Sequence, residues 1–350
     1  MAKVPNSVVG IDLGRFAFKS VVMQRRGSNK FQLSNYAVRP IQGPVETSDQ
    51  IAQEIKLLLK EMGGSAKACV VAATSPDALI RIIEQPSTPR EILRDALRIN
   101  GFSLLNQDVR DFVLDCAVIE SSAVEEGKQV TAPGVLPKVK YLVGGLPRKE
   151  IAHLDEVFLK SYGLLNGIQL APVCIFNAFA ASNEETFKKE AFLLVDIGHA
   201  ASTVTVGLRK ELIIVRTLEY GGKGLMDALV RHGGGNGSSV MTLLEEGDDL
   251  LIETARLSLA ALTREISSSI GFFEGRHEEN ISRIFVSGGP ANSKAILQIL
   301  AEELHMPCEV WNPFAKCEMS LPGKQKASIT GDLANLNVAC GAAVEFLKSK

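Results

Sequence analysis

The sequence predicts a mixed α/β protein in which two similar units face each other across a cleft, with a smaller α/β unit inserted in the first. Three observations lead to this fold class. The stretch 8–20, VVGIDLGRFAFKS, has a counterpart half a chain later at 192–204, FLLVDIGHAASTV. Each copy consists of an apolar run, an Asp-X-Gly turn and a second apolar run, as expected for two antiparallel strands joined by a tight turn. The length of 350 residues exceeds one typical core.

The first unit is predicted from a change in periodicity along the chain. Apolar runs indicate three strands, and the spacing of Ile51, Ile55 and Leu58 then indicates a helix that ends at Gly63-Gly64. A fourth, buried strand follows, so the order matches the start of a ribonuclease-H-like unit. The predicted elements are strands at 8–14, 18–25, 31–41 and 68–73 and a helix at 49–62.

A different pattern begins at about Pro86 and indicates an insertion. Thr88-Pro89-Arg90-Glu91 matches a capping box with proline at the first helical position, which predicts a helix to about Asn100. The polar segment 121–137 is predicted to be a mobile loop. Strands are predicted at 112–118, 139–144 and 168–172, and helices at 148–162 and 173–182. We therefore predict a first domain at 1–85 and 166–190 and an inserted subdomain at 86–165.

The second unit repeats the first without that insertion. We predict a second domain at 191–230 and 280–350, with a helical subdomain at 231–279. The glycine-rich stretch 233–239 is predicted to be a flexible surface loop, since it lacks the Gly-Lys-Ser/Thr ending of a phosphate loop. The other predicted elements are strands at 192–196, 202–208, 211–219, 284–287 and 308–311 and helices at 225–231, 250–277, 292–304 and 336–347.

Composition excludes several classes of function. Hydrophobic residues make up 46% and charged residues 22% of the chain, which is typical of a globular protein. A net charge of −2 argues against nucleic acid or an electrostatic membrane anchor as a partner. No apolar run approaches the roughly 20 residues of a transmembrane helix, and no signal peptide is evident. The six cysteines form no C-X-X-C motif, and the five histidines show no metal-ligand spacing. We therefore expect a cytoplasmic protein.

The duplicated turns are the strongest candidate for a functional site. Because glycine has no Cβ, each turn can bring backbone N–H groups close to an anion. Two carboxylates facing each other beside such turns would suit a Mg²⁺–polyphosphate, with the metal held largely through water. A single Asp-X-Gly could simply form the turn of a hairpin, but two copies in matching contexts favour a phosphate-binding site. The paired positions are Asp12 with Asp196, Gly14 with Gly198 and Lys19 with Thr203.

These residues resemble the motifs of the actin-like ATPase superfamily, which includes DnaK-type chaperones, sugar kinases and FtsA. The superfamily has an early and a middle Asp-X-Gly, matched at Asp12 and Asp196, and a late Gly-Gly adenosine motif, matched at Gly288-Gly289. Its two connecting helices are matched at 170–180 and 338–344. Over most of the chain the sequence is most similar to the PilM family of type IV pilus assembly proteins, which also has Gly-Gly at 221–222 and WNPF at 311–314.

The resemblance implies a role as well as a fold. PilM-like proteins are cytoplasmic and bind ATP with Mg²⁺. They bind the short cytoplasmic N-terminus of PilN, a single-pass membrane protein, in a groove between the first domain and the inserted subdomain. This contact docks them at the inner-membrane pilus platform, so we expect this chain to be peripheral there through its partner. The nucleotide and phosphate ligands implied are Asp12, Gly14, Arg15, Lys19, Asp196, Gly198, Ser202, Thr203, Gly221, Gly222, Gly288 and Gly289.

Some residues depart from the family pattern. Arg15 and His199 follow the two turns where small or hydroxyl residues are usual, and Phe16 and Phe18 make the first turn bulkier. Arg15 could clamp a phosphate or be a solvated surface residue. Lys19 is the stronger candidate for phosphate binding, because the family has a lysine at this position. Two hydroxyl residues of the second turn could bind phosphates or pair along the strand: Ser202 and Thr203.

Catalysis is predicted to be slow or absent. Hydrolysis needs a residue that orients the attacking water, and the helix at 173–182 contains no Asp, Glu or Gln. Asn177 is its one polar candidate, and it could equally cap or pack. A sugar kinase of the same superfamily is the enzymatic alternative, but no catalytic aspartate is evident in that helix. A scaffold with this fold and no nucleotide is the other alternative.

Overall fold

The first unit begins with the expected meander. We analysed a computed structural model, which describes residues 5–27, 30–43, 45–63, 66–119, 138–163 and 165–348. Thr47 and Gln50 form a capping box at the start of the first helix, and Gly63, with φ of 69°, ends it. The predicted elements are confirmed as β1 (Ser7–Leu13), β2 (Ala17–Arg25), β3 (Phe31–Pro40), α1 (Ser48–Met62) and β4 (Ala68–Ala73).

The inserted segment forms a separate antiparallel sheet in the order β5-β7-β6, with one helix on its face. Leu93 and Leu97 of that helix pack on Tyr141 and Val143 of the central strand. The elements are β5 (Leu79–Pro86), α2 (Arg90–Leu105), β6 (Phe112–Val118) and β7 (Lys138–Pro147). The predicted mobile loop at 121–137 lies outside the described residues.

In this segment one expectation is wrong, one helix is longer than predicted and one strand was not predicted. Pro89, not Thr88, is the N-cap of α2, and the Thr88 hydroxyl instead donates to the Pro86 carbonyl at 2.7 Å. A proline before the helix leaves no side-chain cap, so the capping-box pattern does not form. The helix also continues through a kink at Asn100 to Leu105. Strand β5 was not predicted, although it pairs with β7 along its whole length.

After the insertion the chain returns to the first sheet. Helix α3 (Arg148–Ser161) packs Val157 and Phe158 against α1. Strand β8 (Gly167–Leu170) then pairs in parallel with β4. The six-stranded sheet has the order β14-β3-β2-β1-β4-β8, in which β14 is the late strand Glu318–Met319. The domain limits stated above remain a prediction.

The second unit contains a five-stranded sheet in the order β11-β10-β9-β12-β13. Four elements were not predicted: α5 (Glu184–Lys189), α7 (Gly237–Glu245), β14 (Glu318–Met319) and α10 (Gly323–Asp332). The elements are α4 (Ala171–Ser182), α5 (Glu184–Lys189), β9 (Ala191–Ile197), β10 (Ser202–Leu208), β11 (Glu211–Leu218), α6 (Gly222–Gly233), α7 (Gly237–Glu245), α8 (Asp249–Glu274), β12 (Ile284–Gly288), α9 (Lys294–Leu304), β13 (Cys308–Val310), β14 (Glu318–Met319), α10 (Gly323–Asp332) and α11 (Asn337–Lys348).

The stretch 233–239 is not the flexible loop that its composition predicts. Gly233 ends α6, and the Asn236 side chain accepts the Ser239 N–H at 3.0 Å as the N-cap of α7. The Ser239 hydroxyl accepts the Asn236 N–H in return, which completes a capping box. The stretch is therefore a helix-to-helix connection.

The two units repeat one pattern, as predicted. In each, three antiparallel strands form a meander, and a later strand pairs in parallel with the first: β4 with β1, and β12 with β9. Helices α4 and α11 lie in one hydrophobic core with residues of both sheets. No helix in the described ranges has the length and hydropathy needed to cross a membrane.

Candidate functional site

The first Asp-X-Gly turn connects β1 to β2. Asp12 is 4% exposed and lies opposite Lys19 in the strand register. The Lys19 Nζ to Asp12 Oδ2 distance is 3.0 Å, so the two side chains form an ion pair. A Cβ at Gly14 would lie 2.8 Å from the Ala17 carbonyl oxygen, which explains why this tight turn needs glycine.

The second turn repeats this geometry between β9 and β10. Asp196 lies opposite Thr203, as Asp12 lies opposite Lys19. A Cβ at Gly198 would lie 2.6 Å from the Ala201 carbonyl oxygen, three residues on, as in the first turn. The match between the copies that the sequence predicts thus extends to the backbone.

Asp196 is held by two side chains that the sequence did not indicate as site residues. The Ser287 hydroxyl donates to Asp196 Oδ1 at 2.7 Å, and Asn337 Nδ2 donates to the same oxygen at 2.9 Å. Asn337 also donates to the Ser287 Oγ at 2.8 Å and is only 2% exposed. Burial raises the pKa of Asp196, although these hydrogen bonds and the charge of Lys19 act in the opposite direction.

Lys19 connects the two carboxylates electrostatically. Burial lowers its pKa, but the charges of Asp12 and Asp196 outweigh that effect, so the pKa of Lys19 is raised above its ordinary value. The lysine therefore remains cationic at neutral pH. The structure brings these three predicted residues into one charge cluster at the ends of β1, β2 and β9.

The side chains near Asp12 and Asp196 limit how many protein ligands a metal ion could have. Within the described ranges, no three His, Cys, Asp or Glu side chains converge as a metal site. An ion bound beside Asp12 and Asp196 would have to take its remaining ligands from water and from a bound phosphate. Mg²⁺ keeps several waters and commonly uses one or two carboxylates plus phosphate oxygens, so the residues present fit it.

The glycines at 221–222 lie against the second turn. The Gly222 N–H donates to the Gly198 carbonyl at 2.8 Å, and the Lys223 N–H donates to the His199 carbonyl at 2.8 Å. A Cβ at Gly221 would lie 2.5 Å from the His199 carbonyl oxygen. Helix α6 therefore begins on the second turn and fixes its position.

The late Gly-Gly pair also lies beside this turn. Gly288 has φ of 91°, and a Cβ there would lie 2.1 Å from the Ile197 carbonyl oxygen. Gly289 opens a short 3-10 turn, and the next residue, Pro290, lies against Gly222. The structure thus gathers 221–222 and 288–289 around Gly198.

The remaining polar candidates have different surroundings. The Ser202 hydroxyl is 1% exposed and donates to the Tyr220 carbonyl at 2.7 Å, a contact within the fold. Arg15 is exposed. Burial, Lys223 and Arg15 together lower the pKa of His199, against the charge of Asp227. Thr203 and Asn177 are partly buried, Asn177 on α4. The ligand roles of these residues stay predictions.

A separate concave surface lies where the inserted sheet meets the first unit. It has a volume of about 670 Å³. Its walls come from the loop after β4, the start of β6 and the start of α3. The lining residues are Pro76, Asp77, Ala78, Arg81, Gln107, Asp111, Phe112, Pro147, Arg148 and Lys149. We call this surface the insertion groove.

Comparisons with known proteins bear on the fold of the chain. A family model described as "Type IV pilus assembly protein PilM" matches residues 169–347. The chain is similar to the solved "PilM-PilN type IV pilus biogenesis complex", with a TM-score of 0.79 and 21% identity over 97% of this chain and 98% of that chain. It is also similar to the ethanolamine utilization protein EutJ from Carboxydothermus hydrogenoformans, with a TM-score of 0.52 and 11% identity over 98% and 90%. These likenesses confirm the predicted actin-like ATPase fold.

Proposed function

The chain belongs to the PilM family of type IV pilus assembly proteins, and from this premise we propose that it binds ATP with Mg²⁺ between its two Asp-X-Gly turns and docks the cytoplasmic N-terminal peptide of a PilN-like membrane protein. The observation that carries the nucleotide part is the cluster of Asp12, Lys19 and Asp196 between two turns of the same geometry. In this proposal the protein acts in the cytoplasm and is peripheral at the inner membrane through its partner.

Each part of the cluster has a distinct task in this proposal. Lys19 neutralises a phosphate oxygen when the anion draws it from Asp12. Asp12 and Asp196 are then free to hold the waters of a Mg²⁺ ion bound to the same phosphates. Gly14 and Gly198 allow the phosphates to approach the backbone of both turns without meeting a side chain. Bound Mg²⁺ would supply charge neutralisation at the phosphates.

The proposal also predicts slow turnover of ATP, and the reason lies in helix α4. Helix α4 lies in the core shared by the two sheets and has no acidic or Gln side chain to orient an attacking water. The proposed protein is therefore a nucleotide-responsive docking factor. A sugar kinase would need a catalytic aspartate beside a sugar pocket, and a scaffold without nucleotide would need no cationic lysine between two carboxylates.

The first test is thermal denaturation with ATP and Mg²⁺. At a ligand concentration 100-fold above Kd, binding adds about 2.7 kcal/mol to the free energy of unfolding, so the melting temperature should rise clearly. The same melt with ADP and with a panel of sugars separates the alternatives. A rise with a sugar would favour the kinase, and no shift at millimolar ATP with Mg²⁺ would refute nucleotide binding.

We place the peptide-binding site of this proposal in the insertion groove. The groove lies between the inserted sheet and the first unit, where the family resemblance implies that the partner peptide binds. Its lining combines the apolar surfaces of Pro147 and Phe112 with charges of both signs, which suits an extended peptide. A volume of about 670 Å³ can hold a few side chains.

The docking proposal predicts a site-specific loss of peptide affinity. The probe is a fluorescein-labelled synthetic peptide with the N-terminal cytoplasmic sequence of a PilN-type membrane protein. Gln107→Trp fills the insertion groove and should weaken binding at least tenfold in fluorescence anisotropy. Gln298→Trp, at an exposed glutamine of α9, is the matched control and should bind as the wild type does. Equal affinity of both variants would refute this location.

A further inference from the structure

Two rings join the Asp-X-Gly turns directly across the cleft. The Phe16 ring from the first turn stacks on the His199 ring from the second, with centroids 5.3 Å apart and planes inclined by 30°. Phe16 lies two residues after Gly14 and His199 directly follows Gly198, and the two turns connect strands of different sheets. The contact is therefore an inter-unit contact, not packing within one core.

Both rings are carried by anchored backbone. The Phe16 carbonyl accepts the Ile41 N–H at 2.9 Å, which ties the first turn to the residue after β3. The His199 carbonyl accepts the Lys223 N–H at 2.8 Å, which ties the second turn to α6. Parting the rings thus requires either a side-chain rotation or a movement of one unit relative to the other.

The stack is not a hydrophobic core contact. The Phe16 residue is 60% exposed, and His199 is only partly buried. An exposed phenylalanine at the tip of a turn gains little from burial, so its conformation is held mainly by the ring partner. A contact of this kind can break at low cost, which a core contact such as that of Phe18, 4% exposed, cannot.

We propose that Phe16 and His199 form a gate over the phosphate site, closed while the two rings stack and parted when a nucleoside triphosphate enters. The inference rests on the proposed nucleotide site, because a polyphosphate that contacts both turns must lie between them, where the rings now meet. The gate lowers the fraction of molecules open to ligand. The apparent affinity for nucleotide is reduced by that fraction.

The proposal makes a kinetic prediction. Aromatic pairs contribute an amount equivalent to a factor of roughly two to ten in an equilibrium constant. Phe16→Ala should therefore raise the association rate of nucleotide about two- to tenfold and leave the dissociation rate unchanged, since the rings are apart in the bound state. His199→Ala should do the same, and the double variant should gain no more than either single variant.

The experiment is stopped-flow fluorescence with N-methylanthraniloyl-ATP and Mg²⁺ on the full chain. The four proteins are the wild type, Phe16→Ala, His199→Ala and the double variant. Phe102→Ala is the matched control, because Phe102 is a 68% exposed phenylalanine on α2, the helix that covers the inserted sheet. Its association rate should equal that of the wild type.

The outcomes separate the gate from the site beneath it. An unchanged or lower association rate in Phe16→Ala overturns the gate, and so do additive gains in the double variant. If the gate is overturned in this way but Asp12→Ala still weakens nucleotide binding, the proposed function stands without the gate. If neither the wild type nor Phe16→Ala binds the probe, both proposals fall.

Discussion

At the residue scale, the environment of Asp196 depends on three separate parts of the chain. Its carboxylate accepts from Ser287 on the neighbouring strand and from Asn337 at the start of α11, and it faces Lys19 of the other unit. Within the described part of the chain, the ion-pair partner of Asp12 is Lys19. The two aspartates that the sequence makes equivalent therefore differ, because each unit surrounds its turn with different neighbours.

Asn337 should support nucleotide binding through Asp196. Asn337→Leu keeps the approximate volume but removes the donor shared by Asp196 and Ser287. We expect a loss of about 1–3 kcal/mol in the free energy of unfolding and a severalfold weaker affinity for ATP–Mg²⁺. Chemical denaturation and calorimetric titration measure the two effects.

The control for this prediction is a partly buried asparagine outside the charge cluster, Asn35. Asn35 Nδ2 donates to the Met62 carbonyl at 3.2 Å, on the α1 side of the first sheet. Asn35→Leu should lower stability and leave the nucleotide affinity unchanged. If Asn337→Leu also left the affinity unchanged, its role would be limited to packing.

Part of the site could be predicted from the sequence because it is repeated in the sequence. Asp12 and Asp196 were predicted from the paired turns and Lys19 from the family resemblance, and the structure brings the three together. Asn337 gave no such signal, since an asparagine at a helix start has many ordinary uses. Ser287 directly precedes the Gly288-Gly289 pair, and the parallel register of β12 with β9 places it opposite Asp196.

At the element scale, periodicity identified the long helices and strands. It failed where the local residues are compatible with more than one structure. The Thr88 box did not form, because Pro89 occupies the cap position. The glycines at 233–235 and Asn236 end one helix and cap the next, although their composition is that of a loop. Strand β5 ends in Pro86 at the edge of its sheet, and its mixed polar and apolar pattern is weak.

The small residues in the sequence of α11 indicate that this helix packs closely against its neighbours. A Cβ at Gly341 would lie 1.8 Å from the Cys174 carbonyl oxygen on α4, and a Cβ at Gly10 would lie 2.3 Å from the Ala339 carbonyl oxygen. The A-C-G-A-A run thus marks a helix that touches both β1 and α4. Since Asn337 begins the same helix, α11 links the first sheet to the carboxylate of the second turn.

At the scale of the whole molecule, the fold of the two repeated units was predictable because they are duplicated. The inserted segment was harder to predict. The two sheets repeat one strand order, so each supports the prediction for the other. The inserted sheet has no second copy in the chain, and its first strand was missed. The contact of Lys140 with Glu211, at 2.6 Å, joins this insert to the second unit and has no signature in the sequence.

The central claim is that Asp12 and Asp196 serve one magnesium–nucleotide site, and calorimetric titration of ATP–Mg²⁺ into Asp12→Ala, Asp196→Ala and the double variant tests it most directly. Each single variant should bind ATP–Mg²⁺ more weakly while a denaturation curve shows a folded protein. The double variant should lose less than the sum of the two losses, because after one loss the metal is already poorly held. Unchanged ATP affinity in both single variants would contradict the claim and leave the aspartates as strand-end residues alone.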